Sequence, residues 1–481
     1  MKVLTKKKKI INNTLILIVS SLIIKVLGLF NRIILTRFLG NPGISLYTLA
    51  IPTIMLFVSL SSLSLSTAMI KISSKYQSKR VISVGIFIAI IASSLASIIL
   101  LLSLNTISSK LLKQTDTYYP ILFSIPLLFF TSISSVIRGY FLGIEKTNVT
   151  SYANIIEQLT RIIFTLIVFS LFKDKNIVFY VNIAIIMMSI GELCSLIYTF
   201  LKLKRIKNKK QIDNKIIKKE LLDIAVPSTS SSIISNITFF MEPIIFTFVL
   251  TKLNYNSKEI LYKYSEVSAY ALPLITMFSF IPISISMAVM PKLSTSLDKS
   301  ISSFISSIIT IILIPALLIC LILFDYSKEI CLLLYKTDIG SNIVKKYIYL
   351  FIVFYFINPF STVLLSTGKS KLLFLFSTIT HIIKLILLFI LPYITNDSLI
   401  ISYLISYLLL FILLLVFLIK KYHFIIQIIN ILSILLIFII TFLLNKIVIN
   451  LNLSFLIKIL IISTIYCLFS FFFIIKNRNN V

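Results

Sequence analysis

The residues able to do chemistry in this sequence are charged side chains set inside apolar runs. In "IIKVLGLFNRIILTRFLGNPG", residues 23–43, Lys25, Gly28 and Arg32 fall at i, i+3 and i+7, one stripe of a helix. An ionisable group near mid-bilayer costs about 2.5 to 3.5 kcal/mol on insertion scales, so it is expected to face a bundle interior or a hydrated cavity. Two arrangements fit the stripe. It forms a cationic surface with Gly28 permitting close approach, or Arg32 snorkels outward and Lys25 meets a carboxylate on another segment. In "SYANIIEQLTR", residues 151–161, Asn154, Glu157, Gln158 and Arg161 share a polar face. The i, i+4 spacing of Glu157 and Arg161 suits an internal ion pair as well as direct ligand contact. Ser377, His381 and Lys384 share a third face, where His381 alone reads as a packed, hydrogen-bonded histidine. The acids available are Glu192, flanked by Ser189 and Ser195, and Glu242, on one face with Ser232 and Ser235. Bases outnumber the acids apposed to them. A low-dielectric interior rich in ammonium and guanidinium groups suits an anionic, phosphate-bearing ligand, with Glu157, Glu192 and Glu242 left for ion coupling or charge pairing.

The elements that position these groups are membrane helices. The 481 residues are 58% hydrophobic with a mean hydropathy of +1.05, too apolar for an ordinary soluble domain. A span needs about 20 mostly apolar residues, and breaking the chain at charge and turn clusters predicts 14 of them. Their limits are 10–38, 44–70, 81–104, 119–141, 152–172, 177–201, 221–250, 264–290, 301–324, 346–366, 371–393, 398–419, 424–444 and 452–475. All are expected to be helices, since none shows the period-two alternation of a barrel strand.

The formal charge of +30 lies mainly between these spans, where it reads as a topology signal rather than a nucleic-acid surface. With the N-terminus inside, about 28 basic residues fall on the cytoplasmic side and about 13 outside, so both termini are expected in the cytoplasm of a multi-pass protein. The basic stretch 202–220, "KLKRIKNKKQIDNKIIKKE", is expected to be a cytoplasmic linker, whose Ile206, Ile212, Ile216 and Ile217 also suit a segment lying on the membrane surface. It divides two related halves. Residues 50–73 and 271–294 align without a gap, with identities at Ala50/Ala271, Pro52/Pro273, Ile54/Ile275, Phe57/Phe278, Met69/Met290, Lys71/Lys292 and Ser73/Ser294. "LGIEK" (142–146) and "TGKSK" (367–371) form a second echo, each followed within a span by a base, Arg161 or Lys384. Matching orientation makes this a parallel repeat, as in transporters with a central site. The expected organisation is therefore an all-α polytopic membrane protein: a six-helix lobe over 1–201, the linker 202–220, a second six-helix lobe over 221–419, and a two-helix hairpin over 420–481.

Other chemistries find no support in the residues. Cys194, Cys320, Cys331 and Cys467 are scattered, and His381 and His423 lack metal-ligand spacing, so neither a disulfide framework nor a metal site is expected. The basic and then apolar N-terminus imitates a secretory signal but lacks a small-residue cleavage site, and is expected to be a retained first span. No GxxxxGK[ST] phosphate loop is present. No cofactor is expected, and no enzymatic role.

Two segments carry a resemblance. "KVLGLFNRIILTRFLGNPGISLYTLAIPTIMLFVSLSSLSLSTAMIKIS" and "GYFLGIEKTNVTSYANIIEQLTRIIF" are similar to the stage V sporulation protein B group of the multidrug/oligosaccharidyl-lipid/polysaccharide exporter superfamily, which includes the MurJ-type lipid II flippases. The resemblance extends over essentially the whole chain. It implies alternating-access export of an undecaprenyl-pyrophosphate-linked glycan across the cytoplasmic membrane, in cell-wall or spore-cortex synthesis. It further implies substrate contact by Lys25, Arg37, Arg161 and Lys384, and by Arg32, although Asn31 stands where the group carries its own arginine and the one-position shift turns Arg32 by about 100°. Glu242 falls where the group tends to carry an aspartate. The partners implied are the lipid-linked oligosaccharide, a monovalent cation, membrane lipids and enzymes of cell-wall synthesis. A cation-coupled multidrug antiporter of the same superfamily is the first competing reading. A membrane-embedded glycosyltransferase or polymerase is the second, against which stand short outside loops without an acidic cluster.

Overall fold

The computed structural model describes residues 2–172, 175–203, 213–293, 298–424 and 428–478, with side chains described for all but 2–18, 230–231, 287–293, 298–300, 304 and 472–478. Every regular element among them is helical, as lipid demands of a chain whose backbone polar groups must be satisfied within each segment. Packing divides the chain into two units, residues 1–269 with 385–399, and residues 270–384 with 400–481.

The first unit begins with α1 (Lys2–Ser62), a 61-residue helix that breaks at Gly40, where φ is +60° and ψ −174°. A residue bearing a Cβ is strained in that conformation, and Pro42 two positions on cannot donate to the preceding turn. After a left-handed pair, Leu63 and Ser64, come α2 (Leu65–Tyr76) and α3 (Lys79–Asn105), the latter capped by Ser78, which accepts from the Arg80 N–H. The unit continues with α4 (Tyr118–Leu122), α5 (Ile125–Gly143), α6 (Thr147–Leu171), α7 (Ile177–Leu203), α8 (Asn214–Lys252) and α9 (Ser257–Ser265). Its core gathers Leu65, Met69, Ile72, Val81, Val136, Ile137, Tyr140, Ile217 and Leu221, all at most 2% exposed. Two glycines of "GYFLG" set the closest approach. A Cβ at Gly139 would lie 2.6 Å from the Ser66 carbonyl oxygen, and one at Gly143 2.5 Å from that of Ile70. Helix α5 therefore meets α2 backbone to backbone, the small-xxx-small packing of membrane helices.

The second unit holds α10 (Leu272–Thr276), α11 (Phe280–Leu293), α12 (Asp298–Tyr335), α13 (Ser341–Tyr347), α14 (Phe354–Ser366), most of α15 (Ser370–Ile390) and α16 (Ser398–Tyr422), α17 (Ile428–Ile449) and α18 (Phe455–Arg478). Its core is aliphatic on α12 (Ile301, Ile305, Ile308, Ile312) and aromatic on α14 (Tyr355, Phe356, Phe360), with Phe360 stacked on Phe411 at 5.7 Å. Asn445 of α17, fully buried, donates to Asp325 Oδ2 at 2.5 Å and accepts from the Tyr326 hydroxyl at 3.0 Å. These bonds fasten α17 where α12 departs from helical geometry at Tyr326.

Eleven described helices are long and apolar enough to cross a membrane, or twelve if the bent pair Ser341–Tyr347 and Leu350–Ser366 is one span. The expected count of 14 is not matched helix for helix among the described residues. One of the eleven, Val19–Tyr76, runs through both of the first two expected spans, and the last is represented by a shorter apolar helix, Phe455–Phe471. The basic stretch also differs in part from a surface linker. Helix α8 starts at Asn214, and Ile217 is fully buried while Ile216 is 50% exposed; Ile206 and Ile212 lie outside the described residues.

Candidate functional site

The first unit encloses an ionic cluster built by three consecutive helices. Gly191 creates it locally: a Cβ there would stand 2.8 Å from the Glu157 carbonyl oxygen, so α7 lies close against α6 and delivers Glu192 beside Glu157. Helix α5 supplies Arg138. Its Nη2 lies 3.1 Å from Glu157 Oε2 and 3.0 Å from Glu192 Oε1, and donates to Ser195 Oγ at 2.7 Å. The other Glu157 oxygen, Oε1, accepts from Arg161 Nη2 at 2.8 Å. Glu157 thus bridges two arginines, one oxygen to each. The side chains are only 5% to 18% exposed. Two positive and two negative groups balance the cluster, as burial of charge requires. Its donors are not exhausted, because the Nε atoms of both Arg138 and Arg161 are buried without an acceptor.

A second polar group adjoins α1. Arg32 turns inward and donates from Nη2 to the Ser268 carbonyl oxygen at 3.0 Å. Glu242, fully buried on α8, accepts from the Tyr264 hydroxyl at 3.3 Å, and both Glu242 and Arg32 act electrostatically on Tyr264. Arg32 and Arg161 likewise both act on the buried Tyr47 of α1, which links the two groups. The inward arrangement of Arg32 replaces the snorkelling alternative.

Lys25 and Arg37 are instead exposed on α1. The expectation that Gly28 permits close approach does not hold, since a Cβ there would meet no heavy atom within 4 Å. Lys384 belongs to the second unit, where it is 5% exposed. Its ammonium sits 4.3 Å from the Tyr403 ring centroid, and the Ser406 hydroxyl fixes α16 to α15 by donating to the Thr380 carbonyl oxygen at 3.1 Å. His381, half-buried, lies one turn before Lys384.

The structure therefore joins Arg161, Glu157 and Glu192, and sets Arg32 and Glu242 around Tyr264. Sequence reasoning missed Arg138 and Tyr264. Arg138 falls inside the predicted span 119–141, and counting it there would have exposed a further intramembrane cation. The tyrosine carried no such signal among 22.

Comparison with known proteins fits this architecture. The polysaccharide biosynthesis protein family matches residues 10–297. Stage V sporulation protein B of Bacillus subtilis strain 168 is 26% identical over 417 residues, 82% of this chain and 79% of that protein. The lipid II flippase MurJ in its inward closed conformation superposes with a TM-score of 0.74 at 19% identity, over 95% of this chain and 98% of that one. An inward-facing multidrug resistance MATE family transporter of the MOP superfamily gives a TM-score of 0.56 at 14% identity, over 83% and 94%. With a family model matching more than half of its residues and a helical architecture shared with these relatives, this multi-pass membrane chain belongs to the polysaccharide biosynthesis protein family.

Proposed function

We propose that this protein exports an undecaprenyl-pyrophosphate-linked glycan precursor, of the lipid II type, across the bacterial cytoplasmic membrane by alternating access. The observation that carries the reading is the set of three guanidinium groups, Arg32, Arg138 and Arg161, turned into the apolar first unit. Glu157 and Glu192 offset the cost of burying Arg138 and Arg161, but both arginines keep an Nε donor without an acceptor, and guanidinium donors fit phosphate oxygens in pairs. In this reading Glu157 and Glu192 hold Arg138 and Arg161 in place until substrate enters and competes for their donors. Lys25 and Arg37, exposed on α1, meet the pyrophosphate at entry, and Lys384 serves the second half of the cycle. The lobes inferred from the repeat, 1–201 and 221–419, are the moving parts, with both termini cytoplasmic.

Carboxylates buried in spans, Glu157, Glu192 and Glu242, together with the MATE-like fold, favour a second reading as a cation-coupled multidrug antiporter.

One experiment separates the two. In the native host depleted of this protein, outward-accessible lipid II is expected to fall by at least about tenfold, with recovery on wild-type expression and none with Lys25→Ala/Arg161→Ala. Full recovery with the double variant would refute the pyrophosphate site. Unchanged lipid II with lost resistance to cationic dyes would favour the antiporter.

A further inference from the structure

We infer that the groove between α3 and the start of α8 is a binding site for an anionic phospholipid. The groove is a recess of about 310 Å³ lined by Ser83, Val84 and Phe87 of α3 and by Asn214, Lys215 and Lys218 of α8. Periodicity builds it. Positions 214, 215 and 218 form one face of α8, while Ile217 and Leu221 are fully buried on another, packed in one cluster with Val81 and Val84. Glu220 pins that inner face by accepting from the Lys75 ammonium at 2.8 Å and the Tyr76 hydroxyl at 2.7 Å.

The nearby acids are therefore occupied elsewhere: Glu220 by those two bonds, and Asp213 by capping the Lys215 N–H at 3.1 Å. Among the described residues neither Lys215 nor Lys218 has an acid partner. Arg80, exposed one turn before Ser83, extends the basic edge.

Below the lysines the chemistry turns apolar. Phe87, Ile91, Leu95, Ile98 and Leu102 follow one another at helical spacing along α3 and are 45% to 81% exposed. A basic recess continuous with an exposed apolar stripe matches a phosphate headgroup joined to an acyl chain, and the two charges select an anionic headgroup over a zwitterionic one. Free phosphate would use the lysines alone and leave the stripe unused. The inference does not depend on what the protein transports.

The test uses the purified full-length protein in mixed micelles with a photoactivatable phosphatidylglycerol as probe. Labelling is expected on the peptides containing Phe87 and Lys218. The variant Lys215→Gln/Lys218→Gln is expected to reduce phosphatidylglycerol labelling there at least fivefold, with phosphatidylcholine labelling unchanged. Lys258→Gln/Lys263→Gln, on α9, is expected to leave both unchanged. Both target lysines are exposed, so elution volume and helical circular dichroism should match wild type, and Phe87→Ala gives an independent variant expected to weaken the same labelling. Equal labelling of wild type and the lysine variant would overturn the proposal. So would full competition by inorganic phosphate at the probe's concentration.

Discussion

Two cations within apolar helices, each following one member of the Gly-x-x-Lys sequence echo, are accommodated by different means. Arg161 on α6 joins an ionic cluster in which Glu157 bridges it to Arg138, whereas Lys384 on α15 lies against the face of Tyr403. A guanidinium cluster is directional, because each N–H must meet a particular oxygen, and losing one member strands the others. An ammonium over a ring is held by the ring's quadrupole with loose angular demands. The comparison teaches that the ionic cluster fixes the orientation of each guanidinium, whereas the ring contact of Lys384 is an attraction of loose angular demand, so substitutions should be punished unequally.

The largest effect is expected at Arg138. Arg138→Ala leaves Glu192 without its cation and should cost about 3 to 5 kcal/mol, read as a lowered midpoint in detergent unfolding. A loss no larger than that of a surface substitution would break the comparison. Next comes Arg161→Lys, which keeps the charge but removes the planar fork. A loss of about 1.5 to 3 kcal/mol is expected, against near-wild-type behaviour for Lys384→Arg in the same assay. Equal losses would show that the two sites do not differ in directionality. Tyr403→Leu sharpens the contrast from the other side, since a desolvated cation–π contact is worth about 2 kcal/mol or less. It should lower the melting temperature by less than Arg138→Ala does.

What was legible in advance follows from what each signal encodes. Long Ile/Leu runs encode helices in lipid directly, and the i, i+4 spacing encodes the Glu157–Arg161 pair within one helix. Partnerships between helices leave no such local trace. That Glu192 meets Arg138 depends on Gly191 bringing α7 against α6, and that Tyr264 serves Glu242 depends on how α8 meets the segment after it. Where one span ends and the next begins is harder to read for a related reason: hydropathy marks where apolar sequence starts and stops, whereas α1 runs through two expected spans and breaks only at Gly40. Lys25 shows the opposite limit. Its place on a helix could be read from the sequence, but the side it presents is set by packing.

The close seating of α5 on α2 has a consequence for biogenesis. Among the described residues, the buried cluster around Gly139 and Gly143 draws on positions from Leu65 to Ala225 and on none later. Since domains of a nascent chain form from the N-terminus as synthesis proceeds, this part of the bundle can close while a large share of the polypeptide is still to be translated. The ribosome then adds the remaining helices to a partly finished scaffold, and a bulky residue at Gly139 should reveal itself first as a failure of membrane insertion in pulse-labelled cells.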